Sequence, residues 1–149
     1  MPLLGPFPVE FGTVFPSGAF AAGPVEKVRD FEKSSGDRVG QQADKTSGLP
    51  LWVVEVIDAD PEARQRTVKV KVVAQYQPVL PDAPAGSPFV PVEFEGLTAM
   101  PWVDDSRCQG KAKGKDRCGA RLAYSLKATD IHASSRLPNR PVPEHKDAA

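Results

Sequence analysis

The placement of prolines constrains the fold of this chain more than any other feature. Sixteen prolines occur in 149 residues, about twice the usual share. Most of them fall in three groups: Pro2, Pro6, Pro8 and Pro16; Pro78, Pro81, Pro84, Pro88 and Pro91; and Pro138, Pro141 and Pro143. Because a proline inside a helix removes a backbone hydrogen bond and clashes with the preceding turn, these regions do not form long helices.

Alternating hydrophobicity predicts a first β-hairpin in the middle of the chain. The stretch LPLWVVEVIDAD is rich in β-branched and aromatic residues, which predicts a strand over 51–58. In RTVKVKVVA, Val68, Val70 and Val72 share one face while threonine and lysines take the other, the period of a half-buried strand. The turn sequence DPEA joins the two strands.

A second, longer hairpin is predicted further along the chain. FVPVEFEGL alternates apolar and acidic residues, with Pro91 favouring an edge position or a bulge and Gly96 a bend. The next strand, 97–103, is expected to pair with RLAYSLKATDI, 121–131, which alternates in the same way. The tip of this hairpin spans 104–120.

About five strands and no long helix are typical of an all-β protein. A small five-stranded oligonucleotide-binding (OB) barrel fits the size, the strand count and the long connections, and a two-sheet β-sandwich is the alternative. We expect an irregular or extended segment over 1–24, with a short strand near 9–11 or 20–22. The barrel domain then covers 25–133, and a disordered polar tail covers 134–149.

Two stretches before the first hairpin have weaker patterns. VEKVRDF, residues 25–31, fits either a strand or a single helical turn. Residues 34–48, SSGDRVGQQADKTSG, are polar and rich in glycine and serine, which predicts a loop.

The charge balance and the termini restrict the class of protein. The 19 basic and 19 acidic residues cancel, so an interaction with nucleic acid has to depend on local charge. The N-terminus lacks the basic and apolar regions of a signal peptide, and no apolar run is long enough to span a bilayer. Two cysteines do not make a disulfide framework. We therefore expect a cytoplasmic protein that makes no membrane contact.

The residues that usually carry catalysis lack the required spacing in this sequence. The only two histidines are His132, at the end of the last predicted strand, and His145, in the tail; no nucleophile and base accompany them. Acidic pairs such as Asp58 and Asp60 are typical of turns. We expect that the protein is not an enzyme and that it uses no cofactor and no metal.

The two cysteines flank a glycine- and lysine-rich stretch, CQGKAKGKDRC, from Cys108 to Cys118. A structural zinc site needs four ligands, often in close pairs, and only His132 could join these two. A disulfide across a hairpin is sterically easy, although a reducing cytosol would not preserve it. Two thiols at the stem of the loop are the remaining alternative.

Positive charge is concentrated in the same hairpin tip. Between residues 107 and 121 there are six basic residues and a single acidic residue, Asp116. The basic residues are Arg107, Lys111, Lys113, Lys115, Arg117 and Arg121. Because basic side chains that neutralise phosphates release counterions, this cluster predicts contact with a nucleic-acid backbone. The alternative is a solvated loop whose lysines keep the protein soluble.

Aromatic and outward-facing basic residues complete the predicted interface. A single-strand binder stacks bases on aromatic rings, and the candidates are Trp52, Tyr76 and Trp102, with Phe31 and Tyr124 as further ones. A tryptophan in a small β-domain is also often a core residue.

Two lysines of the first hairpin face outward and have two interpretations. Lys69 and Lys71 alternate with the apolar valines of the strand. They either line a binding groove or pair across strands with Glu93 and Glu95.

Most of the chain, from about residue 9 to residue 132, resembles a known family. The stretches DKTSGLPLWVVEVIDADPEARQRTVKVKVVA, PFVPVEFEGLTAMPWV and RLAYSLKATDIHA resemble actinobacterial plasmid replication, integration and excision activators. KTSGLPLW, DADPEAR and VEFEGLTAMPWV are the most specific parts. The resemblance implies a role in switching on the replication and mobilisation of a plasmid or an integrative conjugative element, and it assigns no functional residues.

The layout of strands is also similar to that of filamentous-phage helix-destabilising proteins, which are OB-like single-stranded-DNA binders. GLPLW, residues 48–52, matches their G-x-P-aromatic approach to a strand. This similarity implies that the chain holds single-stranded DNA open for a replication initiator or helicase, and that it is a homodimer. The alternative is a regulator that contacts an initiator directly, with PVLPDAP as a polyproline-type ligand.

Overall fold

A computed structural model describes residues 5–108 and 119–134. The regular structure is nearly all β, which confirms the predicted class. One helical turn, α1, spans Phe11–Val14. The strands are β1 Phe7–Pro8, β2 Ala19–Ala21, β3 Glu26–Lys27, β4 Arg29–Ser35, β5 Arg38–Gln41, β6 Leu51–Asp58, β7 Thr67–Val73, β8 Val90–Glu95, β9 Thr98–Asp104, β10 Arg121–Ala128 and β11 Asp130–Ala133.

The first predicted hairpin, β6 with β7, is confirmed and forms the centre of the protein. The two strands pair antiparallel along their whole length. Val54, Val56, Val70 and Val72 are fully buried between them and the rest of the core. Complete burial of such a side chain contributes about 1.5–3 kcal/mol, so the alternating valines are the main reason why this segment folds as a two-stranded unit.

The second predicted hairpin is also confirmed, and it is bent in the middle. β9 pairs antiparallel with β10, and β8 pairs antiparallel with β11. The bend lies at Gly96, whose φ is +60°, and at Thr129, whose side chain fills the space that a Cβ on Gly96 would need. Thr129 N donates to Glu95 O at 2.9 Å. Both strands therefore change direction at the same level, as the glycine predicted.

The strand pairings of the main sheet form a closed series that begins and ends at β2. β2 lies between β6 and β8 and is antiparallel to both, and β7 pairs with β10 in parallel. Thr129 alone separates β10 from β11, and β11 pairs with β8. The order β2, β6, β7, β10–β11, β8 thus returns to β2, and the sheet curls into a half-barrel.

The core fills the concave side of this curled sheet. It combines the four central valines with residues of the N-terminal part, of the bent hairpin and of the strand β6: Phe15, Ala19, Ala21, Val25, Trp52, Val92, Phe94, Leu97, Ala99, Leu126, Ala128 and Ile131. The ring centres of Phe11 and Phe15 lie 5.4 Å apart, and Phe11 lies 6.3 Å from Phe94. The helical turn α1 therefore covers one part of the core.

The structure contains more strands than the five that the pattern predicted. Nine strands belong to the main sheet, and β4 and β5 form a separate two-stranded sheet. β2, at Ala19–Ala21, lies where the sequence left room for a short strand. Residues 25–31 form β3 and the start of β4, so the strand interpretation is the right one there.

The predicted loop over residues 34–48 is wrong for six of its residues, because 34 and 35 end β4 and 38–41 form β5. Arg38–Gln41 form β5, which pairs with β4 across the turn at Gly36. The polar composition that suggested a loop reflects exposure, because β4 is largely solvent-facing. Most of the hairpin tip and the tail after Ser134 lie outside the described residues.

Candidate nucleic-acid interface

The convex surface of β6, β7, β10 and β9 carries three of the residues that the sequence proposed for binding, Lys69, Lys71 and Trp102. Val70, Val72 and Leu126 point into the core, so the intervening Lys71 and Lys127 point outward. Lys127 lies beside Lys71 on one side and beside Thr98 on the other. We call this surface the outer face; it carries Lys69, Lys71, Thr98, Met100, Trp102, Ser125 and Lys127.

On the outer face, Lys69 and Lys71 are not adjacent to Glu93 and Glu95, the glutamates that the sequence offered as partners. β8, which carries Glu93 and Glu95, pairs with β2 and β11 and is not a neighbour of β7. Of the two interpretations of these lysines, the cross-strand pairing with Glu93 and Glu95 is therefore wrong. Lys69 lies opposite Glu55 on β6 instead, and among the described residues Lys71 forms no ion pair.

One lysine of the outer face is held by an acidic residue from the segment before β6. Lys127 Nζ donates to Asp44 Oδ1 at 2.6 Å. Ser47 donates to Asp44 Oδ2 through its backbone N–H at 3.0 Å and through its hydroxyl at 2.9 Å. The bond from Lys127 and then those from Ser47 lower the pKa of Asp44 from 3.8 to about 2. Asp44, which is only 8% exposed, therefore stays ionised and ties its loop to the sheet.

A pocket of about 310 Å³ opens between this loop and the outer face. It is lined by the loop, by the N-terminal segment and by residues of β6, β7, β9 and β10: Pro6, Gln42, Ala43, Asp44, Lys45, Thr46, Leu51, Lys71, Thr98, Met100, Ser125, Leu126 and Lys127. Three lysines against one aspartate make it an electropositive site, and Leu51, Met100 and Pro6 give it an apolar wall.

Trp102 extends the outer face along the hairpin of β9 and β10. It is 48% exposed, and it shares a side of β9 with Thr98 and Met100. Beyond it, Arg121 Nε lies 3.2 Å from Asp104 Oδ2. Hydrogen bonds from Ser106, and then Arg121, lower the pKa of Asp104. An exposed indole ring therefore lies on the same surface as the lysines.

The other aromatic candidates have different surroundings. Trp52 is only 6% exposed, and its indole N–H donates to Ala74 O at 2.9 Å. Trp52 is therefore a core residue, as the alternative interpretation had it, and its ring has no exposed face on which a base could stack. Tyr76 is 81% exposed in the connection after β7. Phe31 is exposed on β4, with Arg29 5.2 Å from its ring centre.

The basic hairpin tip is described only at its two ends. Arg107 and Arg121 are exposed there. Lys111, Lys113, Lys115 and Arg117 lie outside the described residues, as does Cys118. Cys108 is disulfide-bonded, which favours the disulfide among the alternatives for the cysteines.

Among the pocket residues that were not singled out in the sequence are Lys127, Met100 and Asp44. Lys127 could have been, because it alternates with the apolar Leu126 and Ala128 in the same way as Lys71 does with its neighbours. Met100 gave no signal beyond its place in a strand. Asp44 lies in a polar loop, 83 positions from Lys127, so no local pattern indicates their contact.

Comparison with known protein families, with curated protein sequences and with solved structures finds no match for this chain. Within residues 5–108 and 119–134, no three His, Cys, Asp or Glu side chains cluster as metal ligands would. The same part of the chain contains no helix that is long and apolar enough to cross a membrane. The function therefore has to be inferred from the chemistry of the outer face.

Proposed function

We propose that this protein is a non-enzymatic accessory factor that binds single-stranded DNA and activates the replication, integration or excision of a plasmid or integrative conjugative element. The observation that carries the proposal is the outer face, where Lys69 and Lys71 lie on one continuous surface with the exposed ring of Trp102. Lysines neutralise phosphates, and an exposed indole stacks on a base of any identity.

A five-stranded OB-like barrel is the architecture that accompanies this proposal. Its support is the circuit of pairings from β2 through β6, β7, β10–β11 and β8 back to β2. OB barrels bind oligonucleotides on the face of their second and third strands, between the first–second and fourth–fifth loops. Counted from β2, those strands are β6 and β7, and those loops are residues 22–50 and 105–120.

In this assignment, the two loops that flank the binding face are the one beside the pocket and the one that contains the basic residues of the hairpin tip. The first–second loop carries Asp44 and Lys45 beside the pocket, and the fourth–fifth loop carries the basic tip. A single strand that crosses the outer face would contact Lys71, stack on Trp102 and continue toward Arg107 and Arg121. In that arrangement the protein holds the strand open for a replication initiator or helicase without any covalent step.

The proposal is tested by fluorescence anisotropy of a labelled oligonucleotide, single-stranded and duplex, across a salt series. We expect micromolar or tighter binding of the single strand, weaker binding of the duplex, and a steep loss of affinity with salt, because each neutralised phosphate of a single strand adds about 0.7 to the slope of log K against log salt. Absence of binding to either form at low salt would refute the proposal.

A second candidate function is regulation through protein contacts with an initiator. The specific observation is the proline-rich connection between β7 and β8, in which Val79 is 86% exposed next to Pro78 and Pro81. An apolar side chain held open in an extended proline-rich segment is typical of a ligand for an aromatic-lined groove. Binding to the replication initiator of the same element that survives Lys71→Gln but is lost on Val79→Asp would favour this function.

A further inference from the structure

We propose that the pocket between residues 42–46 and the outer face is a subsite for one nucleotide unit, with its phosphate at Lys71 and Lys45 and its base against Met100 and Leu51. The inference depends on the proposed function where the nucleotide is part of a DNA strand. The same chemistry fits a free nucleotide, and the experiment below separates the two sources.

Charge is the first argument. Lys71 and Lys127 lie side by side on neighbouring strands and both point outward. Like charges in directly adjacent positions destabilise a sheet. Asp44 compensates only Lys127, and its two oxygens are already engaged by Lys127 and Ser47. Among the described residues neither Lys71 nor Lys45 has an acidic partner, so an anion from a ligand would complete the site.

The apolar wall is the second argument, because it distinguishes a nucleotide from a simple anion. Pro6, Leu51 and Met100 contribute to the lining. An inorganic phosphate would gain nothing from these side chains, whereas a nucleobase would bury its faces against them, and a thioether packs well on aromatic rings. Hydroxyls of Thr46 and Ser125 are available in the same lining for the polar edge of the base.

The size and position of the pocket are the third argument. A volume of about 310 Å³ lies at the lower end of the range for small-molecule sites, which suits one nucleotide and not an oligomer. Met100 lies two residues before Trp102 on the same side of β9, about 7 Å along the strand. A strand whose base stacks on Trp102 therefore reaches the pocket with a neighbouring nucleotide.

The experiment compares two probes on the full chain. Thymidine 5′-monophosphate is titrated by calorimetry, with thymidine as the probe that lacks the phosphate, and a labelled twelve-residue oligothymidylate is titrated by anisotropy. The pocket variants are Lys71→Gln, which keeps the aliphatic stem, and Ser125→Glu, which places a negative charge in the lining. Lys33→Gln removes the same charge from β4, away from the outer face, and is the matched control.

We expect the monophosphate to bind the native protein more tightly than thymidine does. Lys71→Gln should weaken monophosphate binding about tenfold, the effect of one charge-assisted hydrogen bond. Ser125→Glu should weaken it at least as much, and Lys33→Gln should change it by less than twofold. The oligonucleotide should follow the same order, with unchanged melting temperatures as the check on folding.

The remaining outcomes distinguish the two proposals. If the oligonucleotide binds the native protein and both pocket variants equally, the pocket inference is refuted and single-strand binding stands. If the monophosphate responds to Lys71→Gln while the oligonucleotide does not bind at all, the pocket is a free-nucleotide site and the proposed function is refuted. If Lys33→Gln and Lys71→Gln weaken the monophosphate equally, or if neither probe binds, the pocket inference is refuted.

Discussion

The two hairpins of this protein have the same alternation in sequence but different roles in the structure. In β6 and β7 the apolar residues of one side are completely buried. In the outer half of β9 and β10 the residues on the corresponding side, Val103, Leu122 and Tyr124, are more than half exposed. The first hairpin has sheet neighbours along both sides, whereas the second has them only at the end near the bend, where β1 pairs with Thr98 and Ala99 and β7 pairs with Leu126–Ala128.

The difference teaches that a period of two predicts a strand and not its burial. Apolar side chains are buried only where other elements cover them. The hairpin of β9 and β10 extends beyond the elements that pack against it, so side chains on both of its surfaces are exposed. Trp102 lies on one surface and Tyr124 on the other, and only the surface of Trp102 continues into the lysines of the outer face.

The largest effect on stability is expected at the bend of the second hairpin, next to its covered part. Gly96→Ala should destabilise the protein by about 3 kcal/mol, because left-handed backbone strain adds to the cost of overpacking against Thr129. Urea denaturation measures the loss. Gly86→Ala is the control, since Gly86 has a φ of +80° with open space around it; it should cost about 1 kcal/mol. Equal losses would show that the bend is not crowded.

A smaller effect is expected from matched valines in the two hairpins. Val70→Ala should cost about 2 kcal/mol, because it leaves a cavity in the core. Val103→Ala should change the free energy of unfolding by no more than about 0.5 kcal/mol, since that side chain is exposed. The same denaturation experiment measures both. A large loss for Val103→Ala would contradict this expectation and would show that Val103 is covered in solution, for example by a second copy of the chain.

The smallest effect is expected where the loop before β6 is tied to β10. Asp44→Asn should destabilise the protein by about 1 kcal/mol at pH 7. Because folding lowers the pKa of Asp44 to about 2, the ionised carboxylate stabilises the fold above about pH 4, and this contribution is lost as the pH falls toward 2. The native protein and the variant should therefore converge in stability at low pH. A difference that persists at pH 2 would contradict the ion pair as its cause.

The parts of the fold that were predictable are those with local patterns. The strands β6 to β10 follow from alternation, and the bend follows from Gly96. β2 has three residues, too few for a period, and its place between β6 and β8 depends on contacts that are distant in sequence. The four-residue β5 was not predicted, because its polar composition is typical of a loop.

The site was predictable in its residue types and less so in its geometry. Lys71 was identified because it alternates with the apolar valines of its strand, and Trp102 because it is an aromatic residue close to the basic tip. Trp52 shows the limit: in a run of consecutive apolar residues a shift of one position exchanges the two faces of a strand, and only the structure puts its ring in the core. The pocket could not be predicted, since its two walls come from segments far apart in the chain.

The most direct test of the outer face as the DNA-binding surface is the single-strand affinity of Trp102→Ala beside Tyr124→Ala. Both rings are exposed, and they lie on opposite surfaces of the same hairpin. By anisotropy with oligothymidylate, Trp102→Ala should weaken binding by about 1–3 kcal/mol, the value of one stacked base, and Tyr124→Ala should leave the affinity within about twofold. Equal effects of the two variants, or a larger effect of Tyr124→Ala, would contradict the assignment of the binding surface.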